Sequence, residues 1–324
     1  MTSALTDGLA WLTIGLFVVA IALDWHDGDR GEGRARYIAG GAWVVFGVFW
    51  LVLFPHFAFE QHSFIEGALS LAAFPACLYA AYLLVQGRAT LFLLSRAVAF
   101  MGLIYMPFTM IPPAKQGLIE LVTAQGEFVL RALGYEFEVA TRTLETPLFG
   151  ESVEEDVRGR YVFHNPEAGR FRINVLLACT GLGSMAIFGG LIAAVRAPLR
   201  RKLRALAIAI PVIWVLNLAR VVFITLAFSQ QWFQFQFVVD PLVEFFYGGD
   251  PAYGVRASYF LSDRVIAQSL SVVALVGIAW AVAREVPELL TVAEDVLYIA
   301  TGDDYDLHDA VGSDRQLRAD GEGE

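Results

Sequence analysis

ALAIAIPVIWVLNLARVVFITLAF, residues 205–228, decides the fold, because in this run the only charged residue is Arg220. At 1.5 Å per residue, a helix of that length rises about 36 Å, enough for the roughly 30 Å of hydrocarbon in a bilayer. Similar stretches at 8–23, 37–54, 65–85, 91–111, 175–195 and 260–283 bring the predicted spans to about seven. With 57% hydrophobic residues and a mean hydropathy of +0.57, the chain reads as an all-α polytopic membrane protein, and no soluble fold competes. The first apolar run, 9–23, has no basic stretch before it and no small-residue cleavage pattern behind it, so it reads as a retained helix rather than a signal peptide.

Loop charge sets the orientation. Five basic residues crowd 196–204, Arg30, Arg34 and Arg36 sit in the loop after the first span, and Arg88 marks the short turn at 86–90. These loops alternate along the chain and are expected inside, which leaves the N-terminus outside and the C-terminus inside. The domains then read as helices one to four (1–111), an extracytoplasmic insert (112–174), helices five to seven (175–283), and a cytoplasmic acidic tail (284–324). Within the insert, Leu118, Val122, Val129 and Leu133 recur at helical spacing, predicting an amphipathic helix over 115–133 at the outer interface. Residues 161–163 and 171–173 flank a turn-rich stretch and predict a hairpin leading into span five. In the tail, 285–299 suits an inner-surface helix, and the acidic stretch after about Thr301 reads as disordered.

The net charge of −10 comes with only two lysines, Lys115 and Lys202. Such an exterior keeps proteins soluble in concentrated salt and argues against nucleic acid as a partner. Cys77 and Cys179 lie in different spans, and neither belongs to a cluster with metal-ligand spacing, so no metal, cofactor or disulfide is expected.

Three chemistry-bearing residues fall at one depth. On the simple topology, Cys179 and Arg264 lie about 6 Å below the outer boundary and Arg220 about 8 Å below it. A buried guanidinium in a bilayer is costly and marks a functional site by default. A lone membrane cysteine is usually a small buried hydrophobe, and arginines at this depth can snorkel to head groups. Their convergence favours a site. Asn217 and Arg220 are three apart, Arg264 and Gln268 four apart, so each guanidinium shares a helix face with an amide. Two fixed positive charges favour a thiolate, the nucleophilic form, and can bind a developing oxyanion, but arginine cannot accept the proton. His164 is the candidate proton acceptor, with His56 and His62 also on the outer side. The alternating run 232–237 suits an interfacial aromatic belt or the wall of an apolar groove.

At these residues the chain resembles the exosortase and archaeosortase family, and it is similar to the archaeal A type. Ala178-Cys179-Thr180-Gly181 resembles the family's ACxG signature, Asn217-Leu218-Ala219-Arg220 its Asn-x-x-Arg, and Asp263-Arg264 with Gln268 its third block. The resemblance implies a cysteine transpeptidase, with Cys179 as nucleophile and Arg220 and Arg264 as the second and third catalytic residues. Thr180, Gly181, Asn217 and Gln268 support them. Arg256, in the same outer region, competes for the third place. It also implies the substrate: surface proteins ending in a Pro-Gly-Phe motif, a hydrophobic helix and a basic tail, which lose the helix and are joined to a membrane lipid. A retinal protein is excluded because the last span has no lysine for a Schiff base. The rival class is a non-catalytic transporter or anchoring scaffold with an arginine-lined cavity.

Overall fold

The computed structural model describes residues 4–27, 32–60, 64–148, 151–166, 169–235 and 254–308, together with 237, 241 and 244. In chain order the helices are α1 (Ala4–Asp27), α2 (Glu32–Pro55), α3 (Phe64–Gln86), α4 (Leu91–Met110), α5 (Pro112–Ala132), α6 (Leu182–Ala194), α7 (Leu199–Ser229), α8 (Arg256–Glu285) and α9 (Leu290–Thr301). Among the described residues α1 to α4, α7 and α8 are long and apolar enough to cross a membrane. The seventh expected span, 175–195, differs. Its helix is α6 alone, which at 13 residues rises only about 20 Å. The chain before it is a strand end and a 3-10 turn, Leu177–Thr180.

The chain divides into two units. The first comprises Met1–Met106, Ala186–Leu206 and Val282–Glu324. Small residues let its helices approach closely: Ala35, Ala39 and Ala42 on α2 are fully buried with Phe17, Ala80 and Leu84. A Cβ on Gly190 would come within 2.6 Å of the Met101 amide nitrogen, so α6 and α4 meet at backbone distance. The predicted inner helix forms as α9, and Arg88 fastens it through Asp295 (2.9 Å) and by stacking 3.6 Å over the Tyr298 ring. The rest of the predicted tail, from 309 onward, lies outside the described residues.

The second unit comprises Pro107–Met185 and Ala207–Ala281. It corrects the all-α expectation with a three-stranded antiparallel sheet, β1 (Glu138–Leu148), β2 (Glu151–Asn165) and β3 (Gly169–Asn174). The hairpin read from sequence is its β2–β3 edge, with Tyr161 opposite Ile173 and Phe163 opposite Phe171. Strand β1 and the first half of β2 were not foreseen; charged residues crowd the second of them, at Glu151, Glu154, Glu155, Asp156, Arg158 and Arg160. A strand needs only one apolar face, and Val157 and Tyr161 supply it, both fully buried.

Helix α5 spans nearly the expected residues, but its apolar stripe is Ile119, Val122, Thr123, Gly126 and Leu130, whereas Leu133 is exposed. That stripe packs on β2: the Tyr161 hydroxyl donates to the Thr123 carbonyl at 2.7 Å, and Gly126 leaves room for the ring. The sheet, rather than lipid, covers this face. An aromatic chain runs from β3 to α8 through Phe171, Phe228 and Tyr259, with centroids 5.0 and 5.5 Å apart.

Candidate active site

All the residues of the candidate site fall in the second unit. Cys179 lies on the 3-10 turn ahead of α6, outside the six long spans, rather than within the span expected over 175–195. Its amide donates to the Leu176 carbonyl at 2.9 Å. The buried Thr180 closes the turn, donating its hydroxyl to the Leu177 carbonyl at 2.7 Å. Gly181 then takes a φ of 76°, a left-handed conformation that favours glycine. A Cβ there would also sit 3.1 Å from the Asn217 Cβ. This close approach lets the Asn217 amide donate to the Cys179 carbonyl. The two sequence blocks are therefore one physical device, in which the glycine admits the asparagine and the asparagine fastens the cysteine turn.

One helical turn beyond Asn217, the Arg220 Nη2 donates to the Asp263 Oδ1 at 2.7 Å. The other carboxylate oxygen of Asp263 is 3.7 Å from the Arg264 Nε, a charge contact too long for a hydrogen bond. The Tyr259 phenol also reaches the Asp263 carboxylate. Asp263 and Arg264 occupy a π-helical segment of α8, Phe260–Ala267. Wide turns of this kind inside α-helices are frequent at functional sites. The α-helical spacing that put Arg264 and Gln268 on one face does not hold across them. Arg220 keeps its Nε buried without a hydrogen-bond partner. A cleft of about 80 Å³ opens here, lined by Gly181, Ser184, Asn217, Arg220 and Ser271 among apolar Ile213 and Leu275.

The charge balance departs from the expected pair of unopposed guanidinium groups. Burial pushes the Cys179 thiol up from its ordinary value; the Leu176 backbone, Arg220 and Arg142 favour the thiolate, and Asp263 opposes it. Arg142 was not singled out from sequence, having no motif around it. It reaches across from β1 to donate to the Val175 carbonyl at 3.0 Å, just ahead of the cysteine turn.

His164 is exposed on β2 opposite Arg170, and it alternates with the buried Phe163. It therefore lies on the other face of the sheet from the cluster of Tyr161, Phe163 and Phe171 against which Cys179 packs. His56 belongs to the first unit and His62 lies outside the described residues. Arg256 is exposed in the first turn of α8. Glu294, Asp306 and His308 bring possible ligand atoms within 4.8 Å of one another, but they lie in the first unit, where none of the candidate site residues does.

Residues 5–248 match the transmembrane exosortase family. The chain is 47% identical over 327 residues to archaeosortase A of Haloferax volcanii, a match covering 97% of this chain and all of that one. It is 46% identical over 307 residues to archaeosortase A of Natronomonas pharaonis, covering 94% and 91% of the two chains. No solved structure matches. Cys179, Asn217 and Arg220 fall within the family match, while Asp263 and Arg264 lie past residue 248, in the stretch shared with both relatives. The chain belongs to the exosortase and archaeosortase family of membrane proteins.

Proposed function

We propose that this protein is an intramembrane cysteine transpeptidase at the outer face of the cell membrane. It removes the C-terminal signal of surface proteins, a Pro-Gly-Phe motif followed by a hydrophobic helix and a basic tail, and passes the trimmed protein to a membrane lipid. The observation that carries this reading is the Cys179 turn fastened by Asn217, one helical turn from an arginine whose buried Nε lacks a partner. A buried unpaired donor is costly unless something accepts from it, and a substrate carbonyl in the cleft is a suitable acceptor. The likeness to two archaeosortases supports the same reading.

Cys179 sulfur attacks the scissile carbonyl carbon, and Arg220 and Arg264 stabilise the oxyanion. Collapse breaks the C–N bond, the hydrophobic helix departs as an amine carrying the proton the thiol lost, and the surface protein remains as a thioester. A nucleophilic group of the lipid head then displaces sulfur, and its proton restores the thiol. The insert 112–174 holds the cysteine turn from the outer side, and helices within 175–283 supply the arginines.

A reporter ending in such a signal tests this. Cys179→Ala and Cys179→Ser are expected to abolish its processing, and persistent processing in either would refute the scheme. A thiol reagent added from outside should label Cys179 before the 4%-exposed Cys77 and stop processing, whereas a transporter or scaffold would keep its function. Arg264→Ala is expected to lose activity and Arg256→Ala to keep it.

A further inference from the structure

We propose that Asp263 is a positioning residue, whose carboxylate holds the Arg220 guanidinium at the Cys179 turn by sharing itself between Arg220 and Arg264. This rests on the reading that Cys179 and Arg220 carry the chemistry. Asp263 is only 13% exposed, with Arg220 at 2.7 Å from one oxygen and Arg264 at 3.7 Å from the other. Three charged side chains bear on the sulfur: Arg220 from α7, Asp263 from α8 and Arg142 from β1. A carboxylate in that company works against a thiolate, so stabilising the sulfur anion cannot be its purpose. What it supplies is geometry. Arginine is a long, rotamer-rich side chain, and its fork directs hydrogen bonds only when the guanidinium plane is fixed. With Nη2 pinned to Asp263, the Nε edge stays buried and unpaired, ready for an oxygen that arrives with substrate.

The test uses the full-length protein in vesicles on a Cys77→Ala background, comparing Asp263→Asn, Asp263→Glu, Arg220→Gln and the double variant Arg220→Gln with Asp263→Asn. Two quantities are read: turnover of the reporter, and the rate at which a small maleimide alkylates Cys179 at fixed pH, which needs no catalysis. Asp263→Asn is expected to lower kcat about 100-fold, the cost of a small misplacement, with KM near that of the parent. Asp263→Glu should recover at least a tenth of the parent rate. Each single neutral variant should slow alkylation, and the double variant should react no more slowly than Arg220→Gln alone, because both changes act through one guanidinium. Parent-like turnover in Asp263→Asn overturns the inference. So does alkylation faster than the parent in Asp263→Asn, which would mean that the carboxylate's charge outweighs its hold on Arg220. Losses that multiply in the double variant overturn it too, as two unrelated structural effects would. If Cys179→Ala still processes the reporter, the transpeptidase reading itself fails. If it does not and Asp263→Asn behaves as the parent, only the role of Asp263 is lost.

Discussion

At Gly181 the backbone adopts a φ of 76° while the Asn217 side chain occupies the space a Cβ would need. Gly181→Ala therefore strains the turn twice, and about 1–2 kcal/mol of stability should be lost from the left-handed conformation alone. Thermal unfolding in detergent would register that loss, and processing should fall more steeply than stability because the Cys179 carbonyl loses its asparagine donor. The sulfur makes a second prediction. Burial raises its pKa above the ordinary range, near 8.5, so at neutral pH the thiol is mostly protonated and the thiolate fraction grows as pH rises toward that raised value. Maleimide labelling of Cys179 should accordingly keep accelerating past about pH 8.5, and a plateau below neutral pH would contradict this balance of charges. Cys179, Asn217, Arg220 and Arg264 stood out as candidates from depth, spacing and motif, because intramembrane charge is rare. Arg142 and Asp263 were not: one acts from a strand with no motif, and the other looked like the companion of Arg264 rather than the partner of Arg220.

Between Phe260 and Ala267, α8 runs as a π-helix, and that wide turn sets which face carries Asp263. Deleting Val265, whose side chain is exposed, would rotate the segment above it by about 100° relative to Gln268–Glu285. The helix should still form and the protein should still accumulate in membranes, yet processing should drop by more than about 100-fold as the carboxylate leaves Arg220. Full activity in that variant would mean that the turn has no part in the site. Long spans declare themselves through hydropathy, whereas a π segment differs from an α-helix by one residue of phase, which an apolar pattern does not reveal. The strands show the same limit. Val139, Leu144 and Val157 join the cluster under α5, but charged residues such as Arg142 and Glu155 interrupt their alternation and mask the strands.

Across the whole molecule, the membrane character was plain in composition, and the apolar helix that falls short of spanning length is the one nearest the cysteine. Among the described residues six helices match the hydrocarbon, but α6 rises about 20 Å against roughly 30 Å. The 3-10 turn holding Cys179 continues the chain where further helix was expected. If α6 traverses the bilayer, lipid around it must thin or let water dip inward to cover the shortfall. Such a local dimple would carry solvent to the scissile bond, and it would make turnover respond to acyl-chain length. In reconstituted vesicles the rate should decline as the chains lengthen, although no residue of the enzyme has changed.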